Sequence, residues 1–269
     1  MTNLELNFDI LSDYADKLEN TVRESGRVIM EIYESDFAVE TKADKSPVTA
    51  ADQAAEDVIL KALSKLTPRT PFVAEEHVAA NGFPDFEGST FWLIDALDGT
   101  KEFINKRGTF TVNIGLIVDG SPCFGLVYAP ARDELFRGVT CPITGKREAF
   151  IERKTKRESL SVRPFPKQGV TVVGSYSHQI QKPMESFLAQ HTVENMIAIG
   201  SSLKFCMVAE GKADLYPRFG PTSEWDIAAG HAVLRAAGGS VKTFGGENIT
   251  YKKTAENYRN STFLASSMP

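Results

Sequence analysis

The chain has 269 residues, of which 42% are hydrophobic and 24% charged, and its formal net charge is −5. These values are ordinary for a globular protein of one large or two smaller domains, and the negative charge argues against a nucleic-acid groove or an anionic membrane surface as the main partner. No apolar stretch is long enough to span a bilayer, and the three cysteines are too widely spaced for a disulfide framework or a thiolate zinc site.

The first part of the chain predicts two amphipathic helices. Apolar residues recur at three- and four-residue spacing over residues 11–33 and again over residues 51–66. Thr49 is the N-cap candidate of the second helix, and Asp52 follows three residues later, which is close to the spacing of a capping box. Prolines at 68 and 71 stop that helix.

Short buried strands are predicted at residues 71–74 and 91–94, and acidic residues follow both of them. Glu75 comes directly after the first strand, and Asp95 and Asp98 come after the second. Further strands are predicted at 111–118, 123–128, 134–139 and 148–151. Because they follow one another as hairpins, we expect an antiparallel sheet.

Residues 153–157 form a basic, polar stretch, which we interpret as a boundary because strands alternate with helices beyond it. The strands are predicted at 170–174, 194–199, 213–216, 240–244 and 262–265, and the helices at 182–190, 202–210 and 226–237. We therefore predict an N-terminal α+β half (1–155) and a C-terminal α/β half (156–269), with the functional site where the halves meet.

The acids at the strand ends indicate a metal site. Carboxylates removed from water need a compensating cation. Asp95 and Asp98 lie three residues apart across a turn, so that the carbonyl of Leu97 is turned toward the same point, and Glu75 and Asp226 can complete an oxygen ligand set of the kind that Mg²⁺ prefers. Such a set suits two-metal phosphoryl chemistry, with one ion activating water and the other stabilising the leaving oxygen. The alternative is that these acids are only turn, strand-end and N-cap residues.

Gly99 and Thr100 are predicted to open a helix, whose N–H groups would favour a phosphate beside the metals. The hydroxyl of Thr100 could also orient the attacking water. Asp52 could either cap its own helix or support catalysis through a water. The two roles are compatible.

Four ordered motifs resemble the inositol monophosphatase superfamily of magnesium-dependent, lithium-sensitive phosphatases. They lie at residues 46–52, 74–76, 95–102 and 224–230. The resemblance covers nearly the full length and implies the layered αβαβα sandwich of the sugar phosphatases, a mixed α+β and α/β fold. Ala96 departs from the pattern, since the family commonly has Pro there, and the substitution should loosen the turn without removing a ligand.

The resemblance also implies roles for particular residues. Glu75, Asp95 and the carbonyl of Leu97 would bind one magnesium, and Asp95, Asp98 and Asp226 the second, with two or three ions in all. The residues implied to act in catalysis are Glu75, Thr100, Asp52 and Asp98. The residues implied to contact the substrate phosphate are Leu97, Asp98, Gly99 and Thr100, with Glu75 and Asp226 beside them.

Within the superfamily, residues 99–103, 200–205 and 215–222 resemble the 3′(2′),5′-bisphosphate nucleotidases of the CysQ type. Inositol phosphatases usually carry Thr or Asn where this chain has Lys101. The resemblance implies hydrolysis of adenosine 3′,5′-bisphosphate to AMP and phosphate by a metal-activated water, a clearance step linked to sulfate assimilation. It further implies a cytoplasmic protein, or one peripheral at the inner face of the cell membrane. The sequence offers no argument about oligomeric state.

A bisphosphate nucleotide brings about four negative charges, so fixed cations must help the metals. Lys204 and Arg218 are our candidates for the second phosphate, with Lys101 and Lys42 as weaker ones, against the alternative that each is a solvated surface charge. The chain also has aromatic and histidine candidates, each with a structural alternative. Trp225 and Phe205 could stack on adenine or belong to the core, and His178 and His231 could act as acids but are more typical of structural residues.

Other functions fit parts of the pattern. A haloacid-dehalogenase-like phosphatase would use Asp95 as a covalent nucleophile, but two residues separate the acids here instead of one. A calcium-binding EF-hand loop would need alternating acids and a terminal Glu. An inositol 1-phosphate phosphatase and a metal-dependent regulatory binding protein without activity are the remaining alternatives.

Overall fold

The computed structural model describes residues 6–35, 38–41, 47–176 and 182–268. Among these residues, no helix combines the length and apolar character that a membrane crossing requires. Lys42 and His178, two of the candidates from the sequence, lie outside the described residues.

Two long helices form the first layer, as the apolar spacing predicts. α1 spans Phe8–Tyr33 and α2 spans Ala50–Leu66. The predicted capping box at the start of α2 is confirmed, since the backbone N–H of Thr49 donates to Oδ2 of Asp52 at 2.8 Å. A two-residue ladder, β1 (Glu40–Thr41) with β2 (Pro47–Val48), precedes α2.

The second layer is a seven-stranded sheet whose strands follow chain order from β3 to β9. β3 pairs parallel with β4, and every later pair is antiparallel. The strands are β3 (Phe72–Ala74), β4 (Thr90–Asp98), β5 (Thr111–Val118), β6 (Ser121–Ala129), β7 (Glu134–Thr140), β8 (Arg147–Arg153) and β9 (Lys156–Ser159). Two short helices, α3 (Glu75–Asn81) and α4 (Thr100–Ile104), follow the carboxyl ends of β3 and β4.

The C-terminal part forms a five-stranded mixed sheet in the order β11, β10, β12, β14, β13. Its strands are β10 (Val170–Gly174), β11 (Val193–Ala198), β12 (Leu215–Arg218), β13 (Ser240–Thr243) and β14 (Phe263–Ser266). The helices are α5 (Lys182–Leu188), α6 (Leu203–Ala209) and α7 (Glu224–Ala236). These elements agree with the predicted alternation of strands and helices, although β14 pairs antiparallel with both of its neighbours.

Within the described part of the chain, three buried apolar clusters join the layers. One lies between α1, α2 and one face of the first sheet, and the largest lies between the other face, α6, α7 and the second sheet. The third joins the outer face of the second sheet to Phe187 of α5. Together the layers give the predicted αβαβα sandwich.

Helix α7 lies against a row of three glycines that are cross-strand neighbours in the first sheet. Gly115 pairs with Gly125, and Gly125 pairs with Gly138. A Cβ on Gly125 would overlap the carbonyl oxygen of Ala229, and one on Gly138 would lie 2.5 Å from a Cα of the helix. The missing side chains let the helix backbone approach the sheet directly, which fixes the height of α7 above it.

The strand β9 (156–159), which the sequence did not predict, returns antiparallel along β8, so that the basic stretch 153–157 lies within the first sheet. Lys154 and Thr155, at φ 47° and 67°, form the two-residue turn between them. Such a turn needs positive φ at both positions and usually carries Asn-Gly. The residue types Lys and Thr therefore did not predict a hairpin turn at this place. The division of the chain into halves at 155 and 156 stays a prediction.

Candidate functional site

The strand ends and the start of α7 bring the predicted acids together. Because β3 and β4 are parallel neighbours, their carboxyl ends meet at the same edge of the sheet. Glu75 follows β3, while Asp95 and Asp98 lie in the C-terminal part of β4, which ends at Asp98. Asp226 is in the first turn of α7. Elements far apart in sequence therefore meet at one point.

Glu75, Asp95 and Asp226 each offer a carboxylate oxygen, and the three oxygens lie within 4.8 Å of one another. Asp95 is buried, with 4% of its surface exposed, and the other two are half-buried. A cluster of carboxylates in a partly desolvated site is the chemistry of an oxygen-ligated divalent cation. The geometry therefore supports the predicted metal site at these three residues.

The pKa values of these acids reflect their crowding. Burial, with repulsion from Glu75 and Asp98, raises the pKa of Asp95 well above its ordinary value. The same causes raise the pKa of Asp226 to about 8. A bound cation would reverse this tendency by favouring the charged carboxylates.

Asp98 lies beside this group and has partners of its own. The side-chain amide of Asn113 donates to Oδ2 of Asp98 at 3.3 Å. Burial raises the pKa of Asp98 to about 6, although the nearby ammonium of Lys204 acts in the opposite direction. Asp98 is thus placed between the acidic group and a buried cation.

The turn between the two aspartates is held without the family proline. Oδ1 of Asp95 accepts from the backbone N–H of Leu97 at 3.1 Å, and the pairing of β4 with β5 shifts register between Asp95 and Asp98. Ala96 is buried within this segment. The side chain of Asp95 therefore supplies a local restraint of the kind that a proline would supply through its ring.

Thr100 connects Asp52 to the same turn. Its hydroxyl lies 3.3 Å from Oδ1 of Asp52 and 3.4 Å from the carbonyl oxygen of Leu97. Oδ2 of Asp52 is meanwhile engaged by Thr49. Asp52 therefore caps α2 with one oxygen and faces Thr100 with the other, so that both predicted roles are compatible with the geometry. Gly99, at φ 95°, makes the turn into α4.

These acids open into a cavity of about 780 Å³. Its lining includes Glu75, Asp95, Leu97, Asp98, Gly99, Thr100 and Asp226. Two cationic side chains, Lys101 and Arg259, line it as well, together with the aromatic rings of Phe83 and Trp225. The cavity therefore combines acids, cations and aromatic surface.

Lys204 and Arg218 are not among the residues that line this cavity. Lys204 is buried, and burial together with repulsion from Arg218 lowers its pKa to about 8. Arg218 is half-buried and donates to the carbonyl oxygens of Gly220 and Pro221 at 3.2 and 3.0 Å. Their role toward a second phosphate stays a prediction.

Of the other aromatic and histidine candidates in the described residues, Trp225 lies at the site, whereas Phe205 and His231 are structural. The indole Nε1 of Trp225 donates to Oε2 of Glu75 at 3.2 Å, so Trp225 belongs to the site. Phe205 is a core residue that stacks on Phe263. His231 is buried and hydrogen-bonded to the hydroxyl of Tyr251 at 2.9 Å, and burial lowers its pKa to about 3. The structural interpretation of His231 and Phe205 is correct.

Sequence reasoning missed Arg259 and Phe83. Arg259 reaches the cavity because it forms an isolated β-bridge with Ser223, the residue that caps α7. Phe83 follows Gly82, which closes α3 at φ 81°. Neither lies in a recognisable motif, and contacts between segments distant in sequence bring them to the cavity.

Comparison with known proteins places these features in context. A model of the inositol monophosphatase family matches residues 11–267. The 3′(2′),5′-bisphosphate nucleotidase CysQ of Escherichia coli K12 is 42% identical over 257 residues, which cover 93% of this chain and 98% of that protein. CysQ of Salmonella typhimurium LT2 is 45% identical over 231 residues, covering 85% and 90%. The crystal structure of CysQ from Bacteroides thetaiotaomicron superposes with a TM-score of 0.75 at 34% identity, over 94% of this chain and 97% of that one.

Proposed function

Because the chain belongs to the inositol monophosphatase family, we propose that it is a magnesium-dependent phosphomonoesterase that hydrolyses adenosine 3′,5′-bisphosphate to AMP and phosphate. The observation that carries the proposal is the convergence of Glu75, Asp95 and Asp226 beside Thr100 in one cavity. The similarity to CysQ nucleotidases supports the choice of substrate.

The residues present fit magnesium. Every donor is an oxygen: the carboxylates of Glu75, Asp95, Asp98 and Asp226, and the carbonyl of Leu97. The mutual repulsion that raises the pKa of Asp95 and Asp226 is the electrostatic condition that a divalent cation relieves. When bound there, magnesium would supply positive charge for the phosphate oxygens and make a water more acidic.

The chain's own groups would orient the attacking water. The hydroxyl proton of Thr100 is directed to Asp52 or to the carbonyl of Leu97. The lone pairs of that hydroxyl are then able to accept a hydrogen bond from a water molecule, and Glu75, which lines the same cavity, offers a second acceptor. Both would align the water for in-line displacement at phosphorus without a covalent intermediate.

Positive side chains balance the second phosphate of the substrate. Lys101 and Arg259 line the cavity directly. Lys204 is near enough to Asp98 to lower its pKa, and Arg218 lies near Lys204. This supply of cations suits a substrate with about four negative charges better than one with a single phosphate.

A phosphate-release assay tests the proposal. Adenosine 3′,5′-bisphosphate, its 5′-phosphosulfate analogue and inositol 1-phosphate are compared with Mg²⁺, with EDTA, and with lithium added. We expect the bisphosphate to give the highest kcat/KM, EDTA to abolish turnover, and lithium to inhibit. Preference for inositol 1-phosphate would refute the substrate, and absence of phosphate release from all three would favour a regulatory binding protein.

The variant Asp98→Asn tests the site directly. It keeps the size of the side chain and can still meet Asn113, but it removes a negative charge from the acidic group. We expect turnover to fall by at least about 10³-fold while the melting temperature changes by only a few degrees. Near-native turnover by this variant would contradict the role of Asp98.

A cytoplasmic location and a part in sulfur metabolism are proposed from the resemblance to the CysQ nucleotidases.

A further inference from the structure

Phe83 is unusual among the large apolar residues because it is both exposed and part of the cavity. Its exposed fraction is 44%, and it lines the same space as Glu75 and Asp226. A single exposed aromatic residue is ordinary on a protein surface, but one that lines a polar cavity offers an apolar face to whatever the cavity binds. The position of the ring therefore points to an apolar part of the ligand.

The ring of Phe83 is supported from behind. It stacks on Tyr258 with ring centroids 5.6 Å apart and an interplanar angle of 19°. Tyr258 is itself buried, with 1% exposure. The indole of Trp225 lies beside Phe83, with centroids 6.5 Å apart and an angle of 31°. The rings of Phe83 and Trp225, which both line the cavity, therefore form an aromatic wall, with Tyr258 behind it.

The segment that carries Phe83 is also fixed. The ammonium of Lys252 donates to the carbonyl oxygens of Phe86 and Gly88 at 3.1 and 2.6 Å. The backbone N–H of Lys252 in turn donates to the fully buried carboxylate of Glu224, in the first turn of α7, at 2.9 Å. A ring held in this way is pre-organised, so that little conformational entropy is lost when a ligand stacks on it.

We propose that the wall of Phe83 and Trp225 is the surface on which the nucleobase of the substrate stacks. The inference rests on the proposed function and adds to it the part of the site that distinguishes a nucleotide from a base-free sugar phosphate. At the opposite end of the wall, Trp225 donates to Glu75. The wall therefore runs from the acidic group outward, which is the arrangement that a phosphate joined to a flat base requires.

Kinetics of Phe83→Ala and Phe83→Tyr test this surface. The substrates are adenosine 3′,5′-bisphosphate and a base-free analogue, 1-O-methylribose 3,5-bisphosphate. Stacking of one base on one ring corresponds to roughly a 5- to 160-fold effect on affinity. We expect Phe83→Ala to raise KM for the nucleotide by about that factor, with kcat within about twofold and KM for the base-free analogue unchanged. Phe83→Tyr should restore the wild-type KM.

A control and a binding measurement complete the test. Phe244 is 42% exposed and stacks on Phe219, away from the cavity lining, so Phe244→Ala should leave both KM values unchanged. An equal change of KM for both substrates in Phe83→Ala, or no change for either, would overturn the proposal. Calorimetric binding of AMP needs no turnover: weaker binding by Phe83→Ala supports the surface and equal binding refutes it, even if the proposed reaction itself fails.

Discussion

The hydrogen bond from Trp225 Nε1 to Oε2 of Glu75, at 3.2 Å, joins two residues that are 150 positions apart in the chain. It ties the start of α7 to the start of α3, so that the acids contributed by these two helices are held in a fixed relation. A partner of this kind orients a metal-binding carboxylate and sets how tightly it can bind.

Trp225→Phe removes the indole N–H and keeps an aromatic ring. We expect the affinity for Mg²⁺ to fall by about 10- to 100-fold, because Glu75 loses the donor that orients it. Activity titrated against Mg²⁺ and calorimetry of Mg²⁺ binding measure the change. Phe205→Leu, a core substitution, serves as the comparison. An unchanged magnesium affinity would show that this hydrogen bond has no influence on the site.

Thr100→Val keeps the shape of the side chain but removes its hydroxyl. The hydroxyl faces Asp52 and the carbonyl of Leu97, so its loss should lower kcat by roughly 10²- to 10⁴-fold if it orients the attacking water. Thr100→Ser retains the hydroxyl and should stay within about tenfold of the wild type. Steady-state kinetics measure both variants, and equal activity of the two would contradict the assignment.

Gly125→Ala should disturb the site from a distance. The added Cβ would overlap the carbonyl oxygen of Ala229, so α7 must move and carry Asp226 with it. We expect a loss of about 1–3 kcal/mol in the free energy of unfolding and weaker binding of Mg²⁺. Gly174→Ala is the matched control, since no atom of the described residues lies within 4 Å of a Cβ at that strand position. Urea unfolding and metal titration distinguish the two.

Removal of metal should make stability depend on pH. In the metal-free protein the pKa of Asp98 is raised to about 6 and that of Asp226 to about 8, mainly by burial, against about 3.9 for an unfolded aspartate. Between about pH 4 and these raised values the folded state binds more protons than the unfolded state, so stability falls as pH rises from about 4, up to about 6 for Asp98 and up to about 8 for Asp226. Melting curves in EDTA should show this fall, while Mg²⁺ should raise the melting temperature most at pH 8. A metal effect that is equal at pH 6 and pH 8 would contradict the coupling.

Unlike the buried aspartates, His231 should make the folded state less stable as pH falls. Burial lowers its pKa to about 3 in the folded state, whereas an unfolded histidine has a pKa near 6.5. The unfolded state therefore binds more protons between these values, and stability is lost as pH falls below about 6.5, by at most about 1.4 kcal/mol per pH unit. His231→Gln should flatten this limb in urea unfolding between pH 6.5 and 4.5. An identical slope would show that His231 is not responsible.

Local signals predicted most of the fold and the acidic group. Several features are encoded within a few neighbouring residues. They are the apolar spacing of the helix that ends at Tyr33, the N-cap at Thr49, and the acids at the ends of β3 and β4. Asp226 was already a candidate ligand by its chemistry, and the resemblance placed it in an ordered motif far along the chain, at residues 224–230. Each of these features therefore needed only short-range patterns or an ordered motif.

The features that sequence reasoning missed depend on contacts between distant segments or on unusual backbone angles. Arg259 and Phe83 reach the cavity only because the bridge to Ser223 and the stacking on Tyr258 bring loops together. The turn at Lys154 and Thr155 has positive φ values without glycine or asparagine. Tertiary packing selects such conformations, and local propensity does not reveal them.

The hydrogen bonds of the aspartates also bear on which cation the site would prefer. Asp98 accepts hydrogen bonds from both Asn113 and Ser202. Asp95 and Asp226 each have one carboxylate oxygen that accepts from a backbone N–H, that of Leu97 and that of Ser223 respectively. A carboxylate held in this way tends toward monodentate coordination through its other oxygen. Calcium usually takes bidentate carboxylates and six to eight ligands, whereas magnesium accepts single oxygens in an octahedron. The hydrogen bonds that hold these carboxylates therefore favour coordination through single oxygens, and with it magnesium over calcium.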